Sequence, residues 1–147
     1  MNILSFKTSL GWITVSEDNY LVSSVEFGRK NNNGKSVVLK KLKKQIIQFI
    51  KRKRKKFSVN LKLKGTPLQK KIWRELSIIK YGSTKTYGDI AKKLNTSPRY
   101  VGNVCGQNNH LLIIPCHRVI RSDGTLGGFS GLGGIKLKSK LLEIEQL

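Results

Sequence analysis

"TKTYGDIAKKLNTSPRYVGNVCGQ", residues 84–107, decides how the second half of this chain folds. Thr86 and Asp89 have capping-box spacing, with Asp in place of the preferred Glu or Gln, so a helix is predicted to start beside Tyr87. Ile90, Ala91 and Leu94 then face inward. Ser97 is a good N-cap and Pro98 suits a first turn, so a second helix follows at once with Val101 and Val104 turned in. Two short helices joined by about four residues have helix-turn-helix dimensions. That spacing is common in α proteins, and alone it does not assign DNA.

Upstream, Thr66 and Pro67 open an earlier helix whose buried stripe is Leu68, Ile72, Leu76 and Ile79, ending near "KYGS" at 80–83. Downstream comes "HLLIIPCHRVI", residues 110–120, an apolar run that meets Pro115 and then presents Cys116, His117 and Arg118 together. "RSDGTLGGFSGLGGIK", residues 121–136, is glycine-rich and reads as a loop whose backbone can approach a ligand. The last residues close with a helix on which Leu137, Leu141 and Ile144 share a face.

The first half reads differently. "NILSFKT" (2–8), "WITVSE" (12–17) and "YLVSSVEFG" (20–28) are short β runs separated by turn residues, which predicts a small antiparallel sheet. Ser36 caps a helix with Val38, Leu42, Ile46 and Ile50 at intervals of four and Leu39 and Phe49 alongside. "KRKRKK", residues 51–56, reads as its solvated end, where cations suit the carbonyl dipoles. Residues 58–65 read as a linker or a last edge strand. The fold expected is an α/β N-terminal domain, residues 1–60, and a mostly α C-terminal domain with a helix-turn-helix, residues 61–147.

Charge narrows the partner. There are 29 Lys plus Arg against 8 Asp plus Glu, a net charge of +21. Between Glu26 and Glu75 stand 18 basic residues and no acidic one. A field of that sign attracts polyanions, and nucleic acid is the commonest. No segment has the roughly 18 apolar residues of a membrane span, and "MNILSFKTSLGW" lacks a signal peptide's apolar stretch. A soluble intracellular protein is expected. Cys105 and Cys116 are too few for a disulfide framework, and with His110 and His117 they lack the paired spacings of a zinc site.

Local chemistry leaves Cys116 open. A thiol with a pKa near 8.5 is mostly protonated at neutral pH and is commonly a buried hydrophobe. With a base beside it, it can serve acyl transfer. It can equally attack an alkyl carbon in line; the thioether formed resists water, so such a protein would act once.

"PCHRVI" at 115–120 resembles the active-site signature of the O6-alkylguanine-DNA alkyltransferases, the methylated-DNA–protein-cysteine methyltransferases. The likeness runs in order through "GTPLQKKIWRELSIIKYGSTKTYGDIAKKL" (65–94), "SPRYVGNVCGQNN" (97–109), "DGTLGGFSG" (123–131) and "KSKLLEIE" (138–145). The resemblance implies single-turnover repair of O6-alkylguanine in double-stranded DNA by a monomer, and it leaves O4-alkylthymine open as a second substrate. Cys116 would accept the alkyl group, His117 would take its proton through a water, and Glu145 would orient the imidazole. Asn108 would brace the turn holding the thiol. Tyr87 would donate to guanine N3 and rotate the target phosphate. Arg99 would fill the gap left by the extruded base, Gly102 would let its helix pack on the DNA backbone, and Ser97 and Tyr100 would join that DNA face. Val119, Phe129, Ser130 and Lys138 would line the pocket. Asn109, His110 and Leu111 stand where many members carry a proline-containing stretch. Phe129 replaces a tyrosine of some members, and the cysteine and histidine cluster that binds zinc in others is absent, so neither metal nor cofactor is expected.

Overall fold

The computed structural model describes residues 1–127 and 134–146. The chain divides into two compact units, 1–63 with 109–113, and 64–108 with 114–147. The sequence reading drew one cut near residue 60. The packing departs from a single cut because 109–113 return to the first unit.

In the first unit, β1 (Asn2–Thr8), β2 (Gly11–Asp18) and β3 (Leu21–Phe27) form an antiparallel meander in sequence order. The β2–β3 connection is two residues, Asn19 and Tyr20, both with positive φ (50° and 68°), the backbone that matches the twist of a tight hairpin. One face of the sheet carries Phe6, Ile13, Val15 and Val25, all buried. α1 (Val37–Ile50) packs on β1, β2 and β3, capped by Ser36, whose hydroxyl accepts from Leu39 N at 3.2 Å. Its buried stripe is Leu39, Leu42, Ile46 and Phe49 with Gln45 among them. Val38 and Ile50, expected at its centre, are half-buried at its margins, because the stripe follows the 3,4 alternation of a 3.6-residue helix and not a strict interval of four.

Both edges of the sheet are covered. Asn32 and Asn33, read as a polar turn, accept from Ser5 N (2.6 Å) and Ile3 N (2.8 Å) on the β1 edge. On the β3 edge, Leu61 bridges Val22 and His110 bridges Val25, both in parallel sense. These bonds satisfy backbone groups that would otherwise template pairing with another chain.

In the second unit, α2 (Pro67–Ser77) packs on α3 (Tyr87–Leu94) and α4 (Pro98–Gly106). All three N-caps fall on the expected residues: Thr66, Thr86 and Ser97 each accept from a backbone N–H three residues on. Thr66 and Thr86 complete capping boxes with Gln69 and Asp89. Asn95, in the left-handed region at φ 56°, stops α3 and turns the chain sharply into α4. Ile72, Trp73, Leu76, Ile90, Ala91, Val101 and Val104 form the core between these helices. α5 (Gly134–Ile144) buries Leu137, Leu141 and Ile144. No helix among the described residues is long and apolar enough to cross a membrane.

Ile46 is fully buried between α1 and the sheet. Ile46→Ala is expected to cost about 2–5 kcal/mol of unfolding free energy, measured by urea denaturation.

Candidate functional site

Cys116, His117 and Arg118 form one turn of 3-10 helix directly after Pro115. The strand β5 (Val119–Ile120) follows and pairs in parallel with β4 (Lys85–Thr86), Lys85 opposite Val119. That short ladder sets the cysteine turn beside the start of α3, where Tyr87 is the first residue. A compact turn was needed for the three potent side chains to act together, since an extended chain would send them to alternate faces.

The turn is anchored by Glu145, just past α5 and almost fully buried. Its carboxylate accepts from His117 Nε2 at 2.6 Å, from Arg118 Nε at 2.8 Å and NH2 at 3.0 Å, and from Gly82 N at 3.2 Å. Arg118 also donates to Ile79 O at 2.8 Å. Burial by itself would raise the Glu145 pKa; hydrogen bonds from His117 and Arg118 outweigh it and hold it at about 2. A carboxylate only accepts, so His117 presents Nε2–H to it and Nδ1 is the ring's acceptor. Burial holds the His117 pKa below its ordinary 6.5, so the imidazole is neutral at neutral pH.

The thiol is also held neutral. Burial pushes Cys116 up to about 11, opposed by a hydrogen bond from Asn108 and the charge of Lys138. Asn108 is itself buried and donates from Nδ2 to Ile114 O at 2.8 Å. That bond closes the base of the loop formed by 109–113. Within the loop no proline is present; His110 Nε2 bonds Val22 O at 2.9 Å and the backbone pairs with Val25 instead.

A cavity of about 690 Å³ opens beside Cys116, inside the range of roughly 300–1,000 Å³ typical of sites for small organic groups. Tyr87 and Gly88 of α3 and Pro98, Arg99, Gly102, Cys105 and Gly106 of α4 form two walls; Arg121, Ser122, Asp123 and Gly127 form another. Tyr87 is half-buried, and burial together with the nearby thiols raises its pKa to about 12, so the phenol keeps its proton. Lys138 of α5, fully buried, donates to Tyr87 Oη at 3.3 Å. Burial lowers its pKa.

The structure therefore brings Cys116, Tyr87, Arg99 and Gly102 to one cavity, with His117, Glu145, Asn108 and Lys138 packed behind it. Ser97 and Tyr100 sit at the N-terminal end of α4 and do not line it. Val119 is fully buried and is not among the described lining residues; its place in β5 turns it into the fold. Phe129 and Ser130 lie outside the described residues. The loop from residue 121, expected to let its backbone approach a ligand, lines the cavity through Arg121, Ser122, Asp123 and Gly127. Two details of the site carried no such signal. Gly127, at φ 72°, abuts Tyr87: an added Cβ would lie 3.0 Å from its Oη. Gly82 binds Glu145, which no local pattern announces.

Arg118→Gln removes the cation from a buried carboxylate and is expected to cost about 3–5 kcal/mol at neutral pH. The sign with pH follows from a depressed folded pKa. The stability Glu145 contributes is full above its ordinary 4.5 and is lost as pH falls toward about 2. The gap between wild type and variant should accordingly narrow in urea unfolding at about pH 4; a gap that widens there contradicts the charge assignment.

Residues 67–147 match the family model described as 6-O-methylguanine DNA methyltransferase, DNA binding domain. The inducible methylated-DNA–protein-cysteine methyltransferase of Bacillus subtilis is 35% identical over 99% of this chain and 84% of its own length. The methylated-DNA–protein-cysteine methyltransferase of Methanocaldococcus vulcanius is 48% identical over 60% of this chain, and the match spans 53% of that relative. Among solved structures, the Mycobacterium tuberculosis OGT in complex with DNA superposes with a TM-score of 0.89 at 30% identity, covering 99% of this chain and 93% of that one. An O6-methylguanine DNA methyltransferase from Methanococcus jannaschii superposes at 0.70 and 30% identity, covering 98% and 93%.

Proposed function

The chain belongs to the 6-O-methylguanine DNA methyltransferase family, and from that premise we propose that it repairs DNA by moving the alkyl group of O6-alkylguanine irreversibly onto its own Cys116. The observation that carries this reading is the cavity that ends on Cys116, with a neutral histidine and an ionised carboxylate arranged behind the thiol.

Guanine O6 is inaccessible inside the stack, so the damaged nucleotide is flipped out of the duplex into the cavity. Unstacking costs a few kcal/mol. Arg99, exposed in the first turn of α4, offsets it by filling the vacated space. Ser97, Tyr100 and the N-terminal end of α4 meet the phosphates around it. Gly102 supports this use of α4: an added Cβ would reach only ordinary contact with the Tyr87 ring, at 3.9 Å, so nothing inside the fold demands glycine there.

Transfer begins with the thiol protonated. His117 Nδ1 takes the Cys116 proton, through a water, and the carboxylate of Glu145 stabilises the imidazolium as it forms. The thiolate attacks the alkyl carbon in line with the carbon–O6 bond. One sulfur–carbon bond replaces one carbon–oxygen bond, and the electron pair passes into the guanine ring. Tyr87 donates its proton to N3, so the base leaves neutral; the imidazolium proton restores the phenol, and in sum the thiol proton ends on guanine. Lys138, bonded to Tyr87 Oη, backs the cavity that takes the base. The thioether does not hydrolyse, which makes each molecule single-use. The site of action is where the DNA is, the cytoplasm of a prokaryote or the nucleus of a eukaryote.

Intact mass tests the reading. After incubation with duplex DNA carrying O6-methylguanine, a gain of one methylene mapped to Cys116 is expected, and Cys116→Ser should gain nothing while still binding DNA. Tight binding by the wild type without a mass change would replace transfer with lesion binding alone. Arg99→Ala should slow repair in duplex about tenfold or more, if about 1.4 kcal/mol of flipping support is lost, yet leave transfer from the free alkylated base unchanged. Equal slowing on both substrates would remove Arg99 from flipping.

A further inference from the structure

The alkyl-transfer site lies wholly in the second unit, yet the first unit is the more lopsided in charge. It holds 15 Lys and Arg against three acidic residues. Those three are engaged: Glu17 accepts from Asn2 and Tyr20 N, while Asp18 and Glu26 pair with Lys62 and Lys30. None of Lys40, Lys41, Lys44, Lys51, Lys53 and Lys56 has an ion pair among the described residues, and all six are exposed. Lys40 and Lys44 stand one above the other on the outer face of α1, about 6 Å apart along its axis, opposite the stripe that covers the sheet.

The run 51–56, expected as the solvated end of α1, follows it mostly exposed and with an ordered closure. α1 stops at Ile50, and the chain closes on it with Lys53 N bonded to Gln48 O (2.8 Å) and Arg52 N to Phe49 O (3.0 Å). That is a Schellman closure, whose left-handed position is ordinarily glycine. Here Arg52 takes it at φ 62°. Arg54 then folds back, with Nε donating to Gln48 Oε1 (2.8 Å) and NH1 to Lys56 O (3.0 Å). The backbone at 52–53 and the Arg54 side chain are thus ordered within a run of six cations, with an arginine where glycine is easier. A surface that only aided solubility would need neither the order nor the strain.

We propose that α1 and the 51–56 turn form a second DNA-binding surface, which holds the phosphate backbone of undamaged duplex irrespective of sequence. Its chemistry is ammonium and guanidinium groups against phosphate oxygens. DNA is favoured over other polyanions because the second unit of the same chain carries the duplex-binding helix-turn-helix. The function would be retention on long DNA during search, with the lesion read elsewhere.

The test uses the full chain with Lys51→Gln, Lys53→Gln and Lys56→Gln combined. The slope of log affinity for undamaged duplex against log salt should fall by roughly 0.9 for each lysine that meets a phosphate, up to about 3 for the triple variant. Melting temperature and transfer from free O6-methylguanine base should be unchanged. An unchanged slope overturns the proposal and leaves a solvated surface. Binding of the wild type to anionic phosphatidylserine vesicles, lost in the variant while the duplex slope persists, overturns it in favour of a lipid surface. Arg52→Gly gives a second arm: relieved backbone should raise the melting temperature while duplex affinity falls. If affinity holds or rises with it, the arginine is there for no phosphate. These readouts do not depend on Cys116, so they stand apart from the mass test of alkyl transfer.

Discussion

The second unit depends on one buried carboxylate. Glu145 gathers a backbone amide from residue 82 and a histidine and an arginine from the adjacent residues 117 and 118. Taking a carboxylate out of water costs several kcal/mol unless its lone pairs are filled. Four hydrogen bonds fill them, and the resulting ion is held well below its ordinary pKa. The same contacts that satisfy the charge orient the imidazole behind the thiol. Structure and chemistry cannot be separated here: Arg118 fixes Glu145, Glu145 fixes the His117 tautomer, and the tautomer leaves Nδ1 as the acceptor. Arg118 forms a structural ion pair with Glu145 and also donates to Ile79 O.

Two opposing effects act on the thiol, and their sizes decide its resting state. The chain carries a net charge of +21, which favours a thiolate at any distance. Most of those charges are exposed, and salt screens them over about 10 Å at 0.1 M. Burial acts at contact and is unscreened, and it lifts Cys116 to about 11. Desolvation therefore wins over the global field. A resting thiol resists stray electrophiles and oxidants, which attack the thiolate.

The helical half was legible because its signals are local. Capping residues Thr66, Thr86 and Ser97 each act within three positions, and the apolar faces repeat within one turn. The β meander was legible for the same reason. What was not legible rests on distant pairs. Nothing near residue 110 announces that its backbone joins β3, 85 positions earlier, or that Asn32 and Asn33 close the far edge of the sheet. Gly82 and Gly127 look like ordinary turn residues, yet an added Cβ would press on Glu145 O at 3.1 Å and on Tyr87 Oη at 3.0 Å. Of the residues the resemblance named, Cys116, Tyr87, Arg99 and Gly102 do share one cavity; their charge states were not legible, since burial sets those and burial is tertiary.

The buried Lys138 sets the direction of one proton. An ammonium can only donate, so Lys138 occupies a lone pair of Tyr87 Oη and leaves the phenol proton facing elsewhere. Tyr87 also lines the cavity. A neutral amine at the same place would be an acceptor, and the phenol would turn its proton inward to it. Burial lowers the lysine pKa, while the thiols of Cys116 and Cys105 raise it insofar as they ionise. The ammonium is consequently best held when the thiol gives up its proton.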